Sequence, residues 1–205
     1  MSETIIFYHN PQSRGRIVRW MLEETGAPYE VHLIDFMKGA HKAPEYLAVN
    51  PMGKLPAISY RGQVVTECAA ICAYLADVFP AAGLAPPPLE RAAYYRWLFF
   101  AAGSLEYAIV DRILGRPAPE RAGAIGYGTY ADTMRTLEQA LSAGPWLLGE
   151  QFSAADVYVG SQLSFGMLRK GVDPTPVLND YVARCRARPA AVRAAGLDEA
   201  LAKAA

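Results

Sequence analysis

An excess of charge of either sign is missing from this chain. Lysine and arginine number 20 and aspartate and glutamate 20, so no basic field is available to hold nucleic acid or an anionic membrane surface. Long apolar runs are missing too. No stretch reaches the roughly 18 residues needed to span a bilayer. The start, Met1-Ser2-Glu3-Thr4, shows no basic region followed by an apolar one of the kind that directs secretion. Cysteine is scarce, and the three present, Cys68, Cys72 and Cys185, include no C-x-x-C, which argues against a disulfide framework or a zinc site. These absences point to a soluble cytoplasmic protein with no metal and neither nucleic acid nor membrane as partner.

What is present changes character once along the chain. From Thr4 to about Val78, β-type runs alternate with helical patterns. They are Ile5-Ile6-Phe7-Tyr8, a helix from Arg14 to Thr25, a strand from Tyr29 to Ile34, a short helix near Pro44 to Ala48, strands Ala57 to Tyr60 and Gln63 to Thr66, and a helix beginning at Glu67. That alternation implies an α/β layer, βαβαββα, over residues 1–78. Prolines and a glycine crowd residues 79–88, Phe79-Pro80-Ala81-Ala82-Gly83-Leu84-Ala85-Pro86-Pro87-Pro88; they can neither continue a helix nor join a sheet and read as a linker. Beyond it, Leu89 to Leu114, Glu120 to Ser142, Ala154 to Arg169 and Val177 to Ala187 carry helical spacing, which predicts an all-α domain over residues 89–205.

The most informative segment is Asn50-Pro51-Met52-Gly53-Lys54-Leu55-Pro56, followed about ten residues on by Thr66-Glu67-Cys68-Ala69-Ala70-Ile71. A cis Leu55-Pro56 bond would turn the chain sharply and leave the N–H and C=O of Leu55 facing outward, able to pair with an extended peptide. Glu67 and Cys68 fall on a helix's first turn, where unpaired N–H groups and the positive end of the dipole attract a carboxylate. A short peptide carrying carboxylates suits both halves.

These motifs resemble the glutathione site of the cytosolic glutathione transferase superfamily, whose usual second element is Glu-Ser or Gln-Ser. The resemblance implies that Leu55, before the cis Pro56, pairs with the cysteinyl backbone of glutathione, while Glu67 and Cys68 hold its γ-glutamyl end. Cys68 departs from the pattern, since a thiol is a weaker donor than a hydroxyl. His41 resembles the position that meets the glycine carboxylate, with Lys54 as second cation. Phe152-Ser153-Ala154-Ala155-Asp156 is similar to the superfamily's capping box in the second domain, and Trp146 to Glu150 precede it. Physically, Ser153 caps a helix, Asp156 answers its backbone N–H, and Phe152 staples toward Val157, a role in folding.

Glutathione must be ionised to act as a nucleophile. A hydroxyl at a helix N-terminus supplies stabilisation of the order required. Ser13, just before the helix that opens at Arg14, stands where serine-type members place their active residue. Tyr8, at the end of the first strand, is the rival, as in tyrosine-type members. Arg14 and Arg16 oppose the helix dipole and read as solvated or paired with Glu23, Glu24 or Asp77. The resemblance further implies an acceptor pocket on the first helix after the linker, with Phe100 and Tyr107 as candidates, although aromatic residues at helical spacing also serve as core. It implies a thioredoxin-like domain joined to a helical one and a homodimer that adds glutathione to a small hydrophobic electrophile. Glutathione-dependent peroxide or disulfide reduction, or a non-catalytic binding module, are the alternatives.

Overall fold

The computed structural model describes residues 4–118 and 120–204. Met1 to Glu3, where no secretion signal is visible in the sequence, lie outside the described residues, as do Pro119 and Ala205. Among the described residues no helix is long and apolar enough to cross a membrane.

The first compact unit runs to Gly83 and resumes at Arg188. Its order is β1 (Ile5–His9), α1 (Gly15–Thr25), β2 (Tyr29–Leu33), α2 (Pro44–Leu47), β3 (Ala57–Tyr60), β4 (Gln63–Thr66) and α3 (Cys68–Val78), closed by α9 (Pro189–Ala204) at the chain's other end. The sheet order is β2-β1-β3-β4. β1 pairs in parallel with β2, Phe7 opposite Val31, and antiparallel with β3, Phe7 opposite Ile58. A βαβ crossover followed by a hairpin, with helices laid on the sheet, is the thioredoxin-like arrangement. The hairpin turns at Arg61 (φ 50°) and Gly62 (φ 79°), both with the positive φ that a tight hairpin needs.

Strand alternation sets the two faces of the sheet. Ile5, Phe7 and His9 of β1 are fully buried. Phe7 and His9 stack at 4.6 Å, and Arg19 of α1 lies over Phe7. Tyr8 points to the other face, where its ring meets Tyr46 of α2 at 5.7 Å beside Ile34, Leu55 and Ala57.

α9 is the main departure from the sequence reading, which groups residues 188–205 with the helical region. It packs on α1, where two of its charges and the arginine just before it have partners: Arg188 forks onto Glu24 (2.6 and 2.8 Å), Arg193 reaches Glu23 (3.1 Å), and Asp198 meets Arg19 (2.6 Å).

The second unit spans Leu84–Ala187 and consists of helices: α4 (Ala92–Phe100), a π-helical turn (Ala101–Leu105), α5 (Glu106–Ile113), α6 (Tyr130–Leu141), α7 (Ala154–Leu168) and α8 (Pro176–Ala187). The helix expected over Leu89 to Leu114 starts at Ala92 and continues to Ile113 through a π turn containing Gly103. The helix expected from Glu120 is reduced to a 3₁₀ turn at Ala122–Ala124, and α6 starts only at Tyr130, where Thr129 accepts the Asp132 N–H at 3.1 Å as N-cap. Between them Gly128 takes φ 68°, a left-handed value that glycine adopts freely and that interrupts the helical path. Asp156, fully buried in α7, accepts from the N–H of Leu147 (2.9 Å) and of Ser153 (2.9 Å) and from the hydroxyl groups of Tyr181 (3.0 Å) and Ser153 (3.1 Å). Phe152 packs edge-on against Trp146 at 4.9 Å.

Candidate active site

The loop after β1 is held by its own side chains. Asn10 donates to the Ile34 carbonyl (2.9 Å), and its Oδ1 accepts the Gln12 N–H (2.8 Å). Ser13 Oγ donates to the Asn10 carbonyl (2.7 Å) and accepts the Gly15 N–H (2.9 Å). The hydroxyl therefore sits on the first turn of α1, a turn without an acidic side chain to offset the dipole. Gly15 is required by crowding: a Cβ there would lie 2.2 Å from His9 Nδ1 and 2.9 Å from Ser13 Oγ.

The start of α3 meets this loop. Cys68 is buried and its Sγ lies 3.8 Å from the Arg14 carbonyl oxygen, so its weak thiol donor is turned toward α1. Glu67 is exposed and has φ 67°, a left-handed value rare outside glycine. Strain of that kind persists where the surroundings over-determine it, and it clusters at binding sites. Cys72, one turn further on, is fully buried, and burial pushes its thiol well up, which makes it a poor nucleophile.

The Leu55-Pro56 bond is cis. The Leu55 side chain is buried among Ile34, Tyr46 and Ala57, while its main-chain N–H and C=O have no hydrogen-bond partner among the described residues. Asn50, itself buried, shapes the approach: its amide donates to the Lys54 carbonyl (2.9 Å) and accepts the Met52 N–H (3.1 Å). Tyr46 donates to the same Lys54 carbonyl (2.6 Å). The cations around this loop divide. Lys38 pairs with Asp35 (3.2 Å) and Lys42 donates to the Met52 carbonyl (2.9 Å), whereas the Lys54 ammonium has no partner among the described residues. His41 stands edge-on to Phe36 at 5.1 Å with Nδ1 buried and unpaired.

Ser13, Leu55, Pro56, Glu67, Cys68, His41 and Lys54 thus all lie in the first unit. Tyr8 is packed between His32 (5.2 Å) and Tyr46 (5.7 Å). Arg16 donates to the Pro11 carbonyl (2.9 Å) and lies 3.9 Å from Asp198. Its acidic neighbour therefore comes from α9, since Glu23 and Glu24 are taken by Arg193 and Arg188. In the second unit, Phe99, Ser104, Tyr107, Asp111, Ile125 and Tyr127 line much of a cavity of about 380 Å³. Phe100 is outside that lining and packs edge-on to Trp97 at 5.3 Å.

Sequence reasoning gave no role to His9, Arg19, Asn50 or Asp198. A histidine alternating with Phe7 on the inward face of a strand signals a buried polar group that needs a partner. That partner is 189 residues away, beyond the reach of any spacing rule.

Comparison with known proteins agrees with this geometry. Residues 3–77 match the family glutathione S-transferase, N-terminal domain. Disulfide-bond oxidoreductase YfcG of Escherichia coli (strain K12) is 29% identical over 199 residues, covering 91% of this chain and 92% of that protein. A glutathione transferase homolog from Sulfitobacter, solved with bound glutathione, is 26% identical over 94% of this chain and 97% of its own, with a TM-score of 0.74. The crystal structure of a glutathione transferase from Methylococcus capsulatus str. Bath is 30% identical, covers 96% of this chain and 100% of its own, and has a TM-score of 0.78. On these grounds the chain belongs to the cytosolic glutathione transferase superfamily.

Proposed function

We propose that the protein binds glutathione in its first unit and presents the thiolate to a small hydrophobic electrophile, with Ser13 stabilising the sulfur. The carrying observation is the Ser13 hydroxyl, seated on the acid-free first turn of α1 with the start of α3 drawn against that turn by Cys68. The same unit carries groups suited to a tripeptide: the unpaired main chain of Leu55, the exposed carboxylate of Glu67 for an ammonium, and the Lys54 ammonium with His41 for a carboxylate. Pro56 shapes the turn at Leu55, and Cys68 lines the γ-glutamyl end. The aromatic cavity beside Tyr107 matches an apolar acceptor in chemistry; Phe100 has a weaker claim because it lies outside that lining.

A free thiol titrates near pH 8.5, and each unit of depression needs about 1.36 kcal/mol of anion stabilisation. One hydrogen bond to a charged group supplies roughly 1.5–3 kcal/mol. Ser13→Ala should therefore raise the apparent pKa of bound glutathione by about one to two units with affinity nearly intact, while Tyr8→Phe leaves it in place. Thiolate absorbance against pH measures this, and a shift in Tyr8→Phe with none in Ser13→Ala moves the role to Tyr8.

A second reading, glutathione-dependent disulfide or peroxide reduction at the same site, is favoured by the likeness to a disulfide-bond oxidoreductase. Turnover of a generic aryl halide compared with that of a peroxide or a small disulfide separates the two. The homodimer and cytoplasmic location that the superfamily resemblance implies are part of this proposal.

A further inference from the structure

Beneath the Ser13 turn lies a buried group that the transferase reading does not use. His9 is 0% exposed, and its Nε2 is 2.7 Å from Asp198 Oδ1. The same oxygen accepts from Arg19 Nε at 2.6 Å. A carboxylate oxygen taking a guanidinium proton is an acceptor, so His9 Nε2 carries the hydrogen and Nδ1 keeps its lone pair. That Nδ1 is buried and has no hydrogen-bond partner. It is also aimed: Nδ1 and Ser13 Oγ border one gap, too small for a methyl group on Gly15. Buried acceptors are rarely left unpaired, and here the hydroxyl bordering the same gap is the one assigned to the thiol.

We propose that His9, held by Asp198, takes the proton that glutathione must lose, relayed through the Ser13 hydroxyl. The inference rests on the role given to Ser13 above. The thiol S–H bond breaks and its proton joins Ser13 Oγ, while the original Ser13 proton moves to His9 Nδ1. Sulfur keeps the electron pair as thiolate, facing a hydroxyl that again carries one proton, and His9 becomes an imidazolium with Nε2–H still on Asp198. An addition reaction returns the proton to the product by the same path, and a substitution releases it with the leaving group.

The charges around His9 suit the task. Asp198 of α9 and Arg16 and Arg19 of α1 are its charged neighbours, with Tyr29 of β2 beyond Arg19, 3.2 Å from its guanidinium. Burial, aided by the two arginines, holds the imidazole below its ordinary value despite Asp198. His9 is therefore neutral in the free protein, as an acceptor must be, and the arriving thiolate supplies the negative charge that favours the imidazolium. Ser13 must exchange its bond to Asn10 for the relay, and contacts of this kind tighten on substrate binding.

The chain has three histidines, so ¹⁵N side-chain spectra of the intact protein can be assigned. The free protein should show His9 as the Nε2–H tautomer, and the glutathione complex near pH 7 should show both ring nitrogens protonated. Asp198→Asn presents an amide donor that favours the other tautomer, removing the acceptor. It should raise the apparent thiol pKa by about one unit, roughly a tenfold loss of thiolate below that pKa, with glutathione affinity within about twofold. Arg193→Ala loosens the same helix and should leave the titration unmoved. His9 remaining neutral in a complex that shows thiolate absorbance, or Asp198→Asn lowering only the melting temperature, overturns this proposal and leaves the transferase reading standing. No glutathione binding by the wild type in calorimetry overturns both.

Discussion

Removing the Asp156 carboxylate strands the buried N–H groups of Leu147 and Ser153 and takes the partner from the Tyr181 hydroxyl. Each such loss costs about 1–3 kcal/mol, so Asp156→Ala should destabilise by about 3 kcal/mol or more, read as a lowered urea midpoint. Activity per folded molecule should hold, because the residues proposed for the site belong to the first unit. His9 acts on stability through pH. Burial holds its folded value below the ordinary 6.5, so below about pH 6.5 the unfolded chain binds a proton that the folded chain refuses. Stability is full above that pH and falls as pH drops through it, at up to about 1.36 kcal/mol per unit. Melting temperatures between pH 7.5 and 5.5 should show this decline in the wild type and a flatter line in His9→Phe, whose ring can keep the stacking on Phe7.

Among the elements, α9 carries charges that matter more than its apolar content suggests. Arg188, immediately before it, is half-buried and forks onto Glu24, whose side chain is 7% exposed. Arg188→Ala should cost about 2 kcal/mol, between the value of a surface pair and that of a buried one. Trp20 continues to donate to Glu24 at 2.8 Å and limits the loss. The check is the chemical-denaturation midpoint, with Arg193→Ala, on a more exposed pair, expected to cost less. This helix was also the least legible part of the chain. Its run Pro189-Ala190-Ala191-Val192-Arg193-Ala194-Ala195 offers alanine in place of a periodic apolar stripe, so no separate helix is read from its spacing. The hairpin was the opposite case. Arg61-Gly62 between two β-type runs specifies turn and register locally, and β3 and β4 have the bounds read from the sequence. For Ser13 and Gly15 the sequence shows where the helix starts, but the crowding against His9 that makes Gly15 necessary depends on a strand and a helix far apart in the chain.

At the scale of the whole molecule, α4 in the second unit exposes Phe99 (74%) and Tyr95 (43%), and α5 exposes Tyr107 (61%). Exposed aromatic side chains at helical spacing are the chemistry of an association surface or a ligand surface. With the homodimer implied by the superfamily resemblance, sedimentation at micromolar concentration should give a species of twice the chain mass, and a single species of one chain mass would rule the dimer out. Charge neutrality, 20 against 20, should make that association insensitive to moderate salt.

His9 and Asp198 are separated by 189 positions in a chain of 205. During synthesis the sheet, the Ser13 turn and the start of α3 emerge well before the residue that holds the imidazole under that turn. Domains usually fold as units while the chain is still growing; this one must wait for α9. The nascent protein therefore carries an unfinished Ser13 turn through the synthesis of every helix of the second unit.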